Sequence, residues 1–146
     1  MRNLLWISPL VLMASVAVAG PEPILPDDIA LVAPAADLPA PLAGYTGKWS
    51  GMWVGGGDRL NHVLVVESIA ADGFTAVYAW GDSQGEYANA KAGWRRINGT
   101  VADGKLSAKL GQSSVIYVLN PNGTISGKYT NAKGFESKAT LKKVGS

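Results

Sequence analysis

From Gly44 onward, apolar and polar positions alternate with a period of two, in short runs separated by Gly, Asn and Asp. Successive side chains of a strand point to opposite faces, so this pattern predicts half-buried strands rather than helices. Lys48–Val54 is the first, with Trp49 and Trp53 on one face and Gly51 between them leaving room for a neighbouring group. Leu60–Ala70 follows the flexible turn Gly55-Gly56-Gly57-Asp58. Its centre is apolar on both faces, Leu64 and Val66 on one and Val63, Val65 and Ile69 on the other. That predicts a strand covered on both sides. Ala71-Asp72-Gly73 is a hairpin signal leading into Phe74–Trp80, where Phe74, Ala76, Tyr78 and Trp80 share a face.

Gly81–Gly93 is the longest polar interval, and its Glu86–Lys91 portion is compatible with one helical turn, an edge strand or a loop. Beyond it lie Trp94–Asn98, an Asn98-Gly99 turn, Thr100–Ala102, a second Ala-Asp-Gly turn, and the runs Lys105–Leu110 and Ser113–Leu119. Asn120-Pro121-Asn122-Gly123 precedes Thr124–Thr130, and Asn131-Ala132-Lys133-Gly134 precedes Phe135–Val144. The result is eight or nine strands joined mainly by tight turns. Short turns force antiparallel neighbours. The expected fold is therefore all-β, an antiparallel up-and-down meander closed into a small barrel, which removes exposed sheet edges. A two-sheet sandwich is the alternative.

The chain before Gly44 has a different texture. Met1–Gly20 has the parts of a secretory leader: an early Arg2, the apolar run Leu4–Ala19, and the small-x-small triplet Ala17-Val18-Ala19. The expected division is a signal peptide over 1–19 cleaved after Ala19, a Pro/Ala-rich linker over 20–43, and a barrel domain over 44–146. The apolar run is too short to span a bilayer and Pro9 interrupts it, so no stable membrane insertion is expected after cleavage. Six prolines from Pro21 to Pro41 argue against helix or central strand in the linker, which reads as a polyproline-like spacer. Its apolar residues, Ile24, Leu25, Ile29, Leu31 and Val32, offer docking on the domain or a partner as the other reading.

Composition narrows the chemistry. The absence of cysteine removes disulfides, thiolate catalysis and Cys-ligated metal sites, and it suits a bacterial periplasmic or secreted protein. Residues 44–146 carry twelve Lys/Arg against seven Asp/Glu, a modest bias toward anionic partners from scattered lysines. No nucleic-acid recognition motif accompanies it, and nucleic acid is not an expected partner.

Gly47-Lys48-Trp49 at the start of the first strand resembles the Gly-x-Trp signature of the calycin group, meaning lipocalins, fatty-acid-binding proteins and avidins. The resemblance implies that Trp49 packs across the closed end of a barrel beside a basic residue of the last strand, Lys142 or Lys143. Trp53, four residues nearer the other end, is then the indole left to meet a ligand. Beyond this tripeptide the likeness is one of strand pattern over 44–144. The lipocalin Thr-Asp-Tyr motif is absent, and the biotin-contact pattern of avidins has no match.

Gly81-Asp82-Ser83-Gln84-Gly85 fits the Gly-x-Ser-x-Gly form of a nucleophile elbow. That chemistry needs a base, and the single histidine, His62, lies upstream and reads as a surface or strand-end residue. A polar loop is the simpler reading, and pairs such as Glu67 with Glu86 or Asp82 have no spacing that marks glycoside hydrolysis. Trp94-Arg95-Arg96 is the sharpest basic-aromatic cluster, with Trp94 and Arg96 on one face and Arg95 and Ile97 on the other. Pointing inward, Arg96 would need an anionic partner such as a ligand carboxylate. Pointing outward, the preferred reading, it would lay its stem on Trp94 or meet solvent.

The remaining aromatics either fill a small barrel or line a pocket within it. The expectation is an exported, non-enzymatic module for a small apolar or amphipathic ligand, contacted by Trp53, Tyr78, Trp80, Trp94 and Arg96, with no metal and no cofactor. An envelope interaction protein, an inhibitor or glycan-binding module using loop 81–93 and outward aromatics, is the alternative. A hydrolase built on Ser83 is a distant third.

Overall fold

A computed structural model describes residues 22–85 and 90–145; the expected leader lies outside the described residues, as does the 86–89 part of the polar interval. One helical turn, α1 (Ala40–Ala43), precedes eight strands. They are β1 (Gly47–Gly55), β2 (Asp58–Ile69), β3 (Gly73–Trp80), β4 (Gly93–Ala102), β5 (Lys105–Leu110), β6 (Ser113–Leu119), β7 (Ile125–Thr130) and β8 (Glu136–Val144). Each pairs antiparallel with the next, and β8 returns to pair with β1, so the meander closes as a barrel and not as a sandwich.

Asn98-Gly99 is not a turn. β4 runs straight through it, pairing Gly99 with Phe74. A Cβ on Gly99 would run into the Phe74 ring and the Ser107 carbonyl, so glycine is needed here for close approach and not for a reversal. The β4–β5 turn, by contrast, does need left-handed backbone: Asp103 and Gly104 have φ of 53° and 74°.

The inner face carries Trp49, Trp53, Leu64, Phe74, Ile97, Leu106, Val115, Tyr117, Ile125 and Leu141 in one buried cluster. Its closed end is built by the segment before β1. Leu38 and, within α1, Leu42 pack on the core, and Pro41 suits a first helical turn because it needs no N–H there. Trp49 Nε1 donates to the Tyr45 carbonyl at 2.8 Å, and the Tyr45 hydroxyl donates to the Gly104 carbonyl at 2.6 Å while accepting from Leu119 N. Lys143 Nζ sits 5.4 Å from the Trp49 ring centroid, a cation over an indole face.

The proline-rich stretch is docked, not a free spacer. Leu25 and Ile29 cover Val63, Val65, Val77 and Ala79 on the outer face of β2 and β3, which explains why those strands are apolar on both sides. The β2 register shifts between Val66 and Ser68, and Glu67 in that bulge holds the strap. Its carbonyl accepts from Val32 N at 2.8 Å and its carboxylate accepts from Ala30 N at 3.0 Å and Arg96 Nε at 2.8 Å. Arg96 also reaches the Asp28 carboxylate at 3.1 Å. The guanidinium holds both carboxyls below their usual range, chiefly through these hydrogen bonds.

Candidate functional site

The strand ends opposite the Trp49 plug surround a half-open cavity of about 560 Å³. Its walls are aromatic: Trp53 from β1, Tyr78 and Trp80 from β3, and Tyr129 from β7. Strand alternation explains the set. Each occupies an inward position near the open end of its strand, and Tyr78 and Trp80 lie two residues apart with ring centroids 5.9 Å from each other. Small residues opposite these rings make room for them. A Cβ on Gly93 would come within 2.8 Å of the Trp80 ring, and one on Gly127 within 2.8 Å of Trp53 Cη2.

Beneath the cavity, Trp53 rests on two buried rings, His62 and Tyr117. The Trp53 ring stacks on His62 at 5.0 Å, and His62 stacks on Tyr117 at 6.0 Å. His62 Nδ1 lies 2.8 Å from the Ala79 carbonyl, which can only accept, so Nδ1 carries the proton. Nε2 is then the acceptor for the Tyr117 hydroxyl at 2.8 Å. Burial lowers the His62 pKa to about 4, partly offset by the Ala79 bond, and leaves the ring neutral near pH 7. Burial likewise pushes the Tyr117 and Tyr78 hydroxyls above the ordinary phenol range. His62 is thus a core residue, not the strand-end histidine the sequence suggests. Trp53, only 2 % exposed, has its Nε1 buried without an acceptor in good geometry. It approaches Tyr78 closely enough to offset part of that hydroxyl's rise.

The Gly-x-Ser-x-Gly segment braces the rim. Ser83 Oγ donates to Asp58 Oδ2 at 2.9 Å and accepts from Ala90 N at 3.2 Å. Asp58 Oδ1 accepts from Arg59 N and Gly85 N, and Asp82 Oδ1 from Ala92 N. The Ser83 proton therefore points to a carboxylate that holds the loop, while both His62 nitrogens are engaged elsewhere. No nucleophile–base pair joins Ser83 to His62. Glu67 sits on the outer wall in its Arg96 bridge, away from Asp82.

Of the five sequence-chosen contacts, Trp53, Tyr78 and Trp80 meet at the cavity. Trp94 and Arg96 do not. β4 turns Ile97 inward, and by alternation Arg95 is on that side, exposed at the cavity mouth, while Trp94 and Arg96 face out, the guanidinium carbon 6.0 Å from the Trp94 ring. Arg96 pairs with Asp28 and Glu67 on the outer wall and does not line the cavity. Arg95 and Tyr129 line the cavity beside Trp53, Tyr78 and Trp80, and His62 lies beneath Trp53 in the core. The face shared by Arg95 and Ile97 was legible; the depth of His62 was not. Among the described residues no group of three or more His, Cys, Asp or Glu could hold a metal ion. Comparison with protein-family models, curated proteins and solved structures finds no match.

Proposed function

We propose that this chain is an exported, non-enzymatic binding module that holds a small apolar or amphipathic ligand in the open end of its barrel. The observation that carries this reading is the cavity of about 560 Å³ walled by Trp53, Tyr78, Trp80 and Tyr129. Its size lies in the range of small-molecule pockets, and ring faces with polar tips suit a ligand that is mostly apolar. The rings beneath Trp53 support the same reading. Trp53 is wedged between His62 and the space left by Gly127, so the wall is formed before a ligand arrives. The Trp49–Lys143 contact at the closed end supports placing the barrel among calycin-type folds.

Native mass spectrometry of the protein purified from its own cell envelope tests the proposal. A reproducible small-molecule adduct that is absent from a Trp80→Leu variant is the expected result. A clean apo mass for both, with no uptake of apolar compounds added in excess, would count against it.

A second reading has one specific observation in its favour. Trp94 on the outer wall is 41 % exposed and lies outside the cavity. An outward aromatic of this kind suits an envelope interaction protein that engages a glycan or another protein. Loss of partner capture in Trp94→Ala, with cavity binding intact, would favour it.

A further inference from the structure

We propose, building on the binding reading above, that the ligand is a compact aromatic anion held head-out, with its negative group on Arg95 at the mouth. Arg95 lines the cavity from β4 and lies directly across the β3–β4 ladder from Tyr78, so its cation borders the aromatic wall. Every other charge lining the cavity is already committed. Asp58 accepts from Arg59 N, Gly85 N and Ser83 Oγ at 2.8, 3.1 and 2.9 Å. Glu136 pairs with Lys128 at 3.1 Å. Arg95 makes no ion pair among the described residues. A guanidinium that a bound apolar body strips of part of its water needs a new acceptor, and a planar anionic group meets its fork with two hydrogen bonds.

Other ligand classes fit less well. A cation would meet Arg95 together with carboxylates whose oxygens are already bonded, Asp58 to the rim loop and Glu136 to Lys128, and a neutral body would cover part of Arg95 without offering it an acceptor. A long chain has nowhere to run, because Trp53 is backed by His62 and Tyr117 and the buried core beyond them holds Leu64, Leu106, Val115 and Leu141. Rings are preferred because four aromatic side chains line the space. The orientation follows from placement: the charge lies near the mouth, where water can still reach it, and the rings lie below.

Two probes that differ only by a charged group test this. They are N-phenyl-1-naphthylamine and its sulfonated form, 8-anilinonaphthalene-1-sulfonate. Both are titrated against the full chain, Arg95→Gln and Arg95→Lys, following fluorescence at low and high salt. The quantity read is the ratio of the two dissociation constants. Arg95→Gln is expected to shift that ratio against the sulfonate by about tenfold or more, the size of a charge-assisted hydrogen bond, while changing the amine affinity less than about twofold. Arg95→Lys is expected to recover part of the ratio, and high salt to compress it in wild type. A ratio that moves by less than about threefold in Arg95→Gln, or equal weakening of both probes, overturns the anion assignment and leaves the cavity reading standing. Failure of wild type to bind either probe overturns both.

Discussion

The Tyr117 hydroxyl and His62 Nε2 lie 2.8 Å apart, both fully buried, and this bond fixes the floor on which Trp53 rests. It is also the contact through which acid should reach the fold. In the folded chain His62 has a pKa near 4, against 6.5 for the free side chain. Between those values the unfolded chain takes up a proton that the folded chain refuses. His62's contribution to stability is therefore complete above about pH 6.5, falls as pH drops toward 4, and is exhausted below it. The loss is on the order of 3 kcal/mol. Urea midpoints across this window are expected to fall in wild type and to be flatter for His62→Gln. Equal slopes would mean that His62 titrates normally. Asp28 and Glu67, with depressed carboxyls, add a further loss as pH falls below the ordinary carboxylate range.

Gly127 is where the floor has no slack. A Cβ there would stand 2.8 Å from Trp53 Cη2, at the far edge of a ring already stacked on His62. Gly127→Ala should cost about 1–3 kcal/mol by overpacking. It should also change the near-UV circular dichroism of the tryptophans, because the ring must tilt off His62. Wild-type stability with an unchanged spectrum would show that Trp53 is not wedged as described.

The strap gives a separate test of the outer wall. Glu67 is 7 % exposed and Arg96 34 %, so the pair is only partly screened by water. Arg96→Gln leaves the Glu67 carboxylate with the Ala30 amide but without its cation. The urea midpoint is expected to fall, and a cycle with Glu67→Gln should show the two effects to be non-additive. Limited proteolysis should then cut first between Leu25 and Leu38, while the barrel stays intact. Uniform loss of the whole domain would instead mean that strap and barrel open together.

The strand pattern was legible because burial inside a barrel imposes a strict period of two, and tight turns impose Gly, Asn and Asp. What failed was information that no local window contains. Asn98-Gly99 and Asn122-Gly123 look alike in sequence, yet Gly123 has φ of 83° in a turn while Gly99 lies flat under Phe74, 25 residues away. His62 looked like a strand-end polar residue because its partners, Ala79 and Tyr117, come from β3 and β6. Leu25 and Ile29 looked like spacer because their contact face belongs to β2 and β3.

The candidate site divided along the same line. Trp53, Tyr78 and Trp80 follow from alternation within single strands, and they meet. Trp94 shares a face with Arg96, whose preferred reading is outward, so its place among the ligand contacts rested on its being aromatic. The inward place beside Trp80 is taken by Gly93, because the Trp80 ring fills the space its side chain would need. That sets the phase of the strand, sends Trp94 and Arg96 out, and leaves Arg95 facing in.

The most direct test of the binding account is a titration of N-phenyl-1-naphthylamine into wild type, Trp80→Leu and Trp94→Ala, read by probe fluorescence with folding checked by circular dichroism. The cavity account predicts one saturable site in wild type, at least tenfold weaker binding in Trp80→Leu from the loss of about 1.5 kcal/mol or more of ring contact, and no change in Trp94→Ala. Unchanged binding in a folded Trp80→Leu, with loss in Trp94→Ala, would contradict it and move the site to the outer wall.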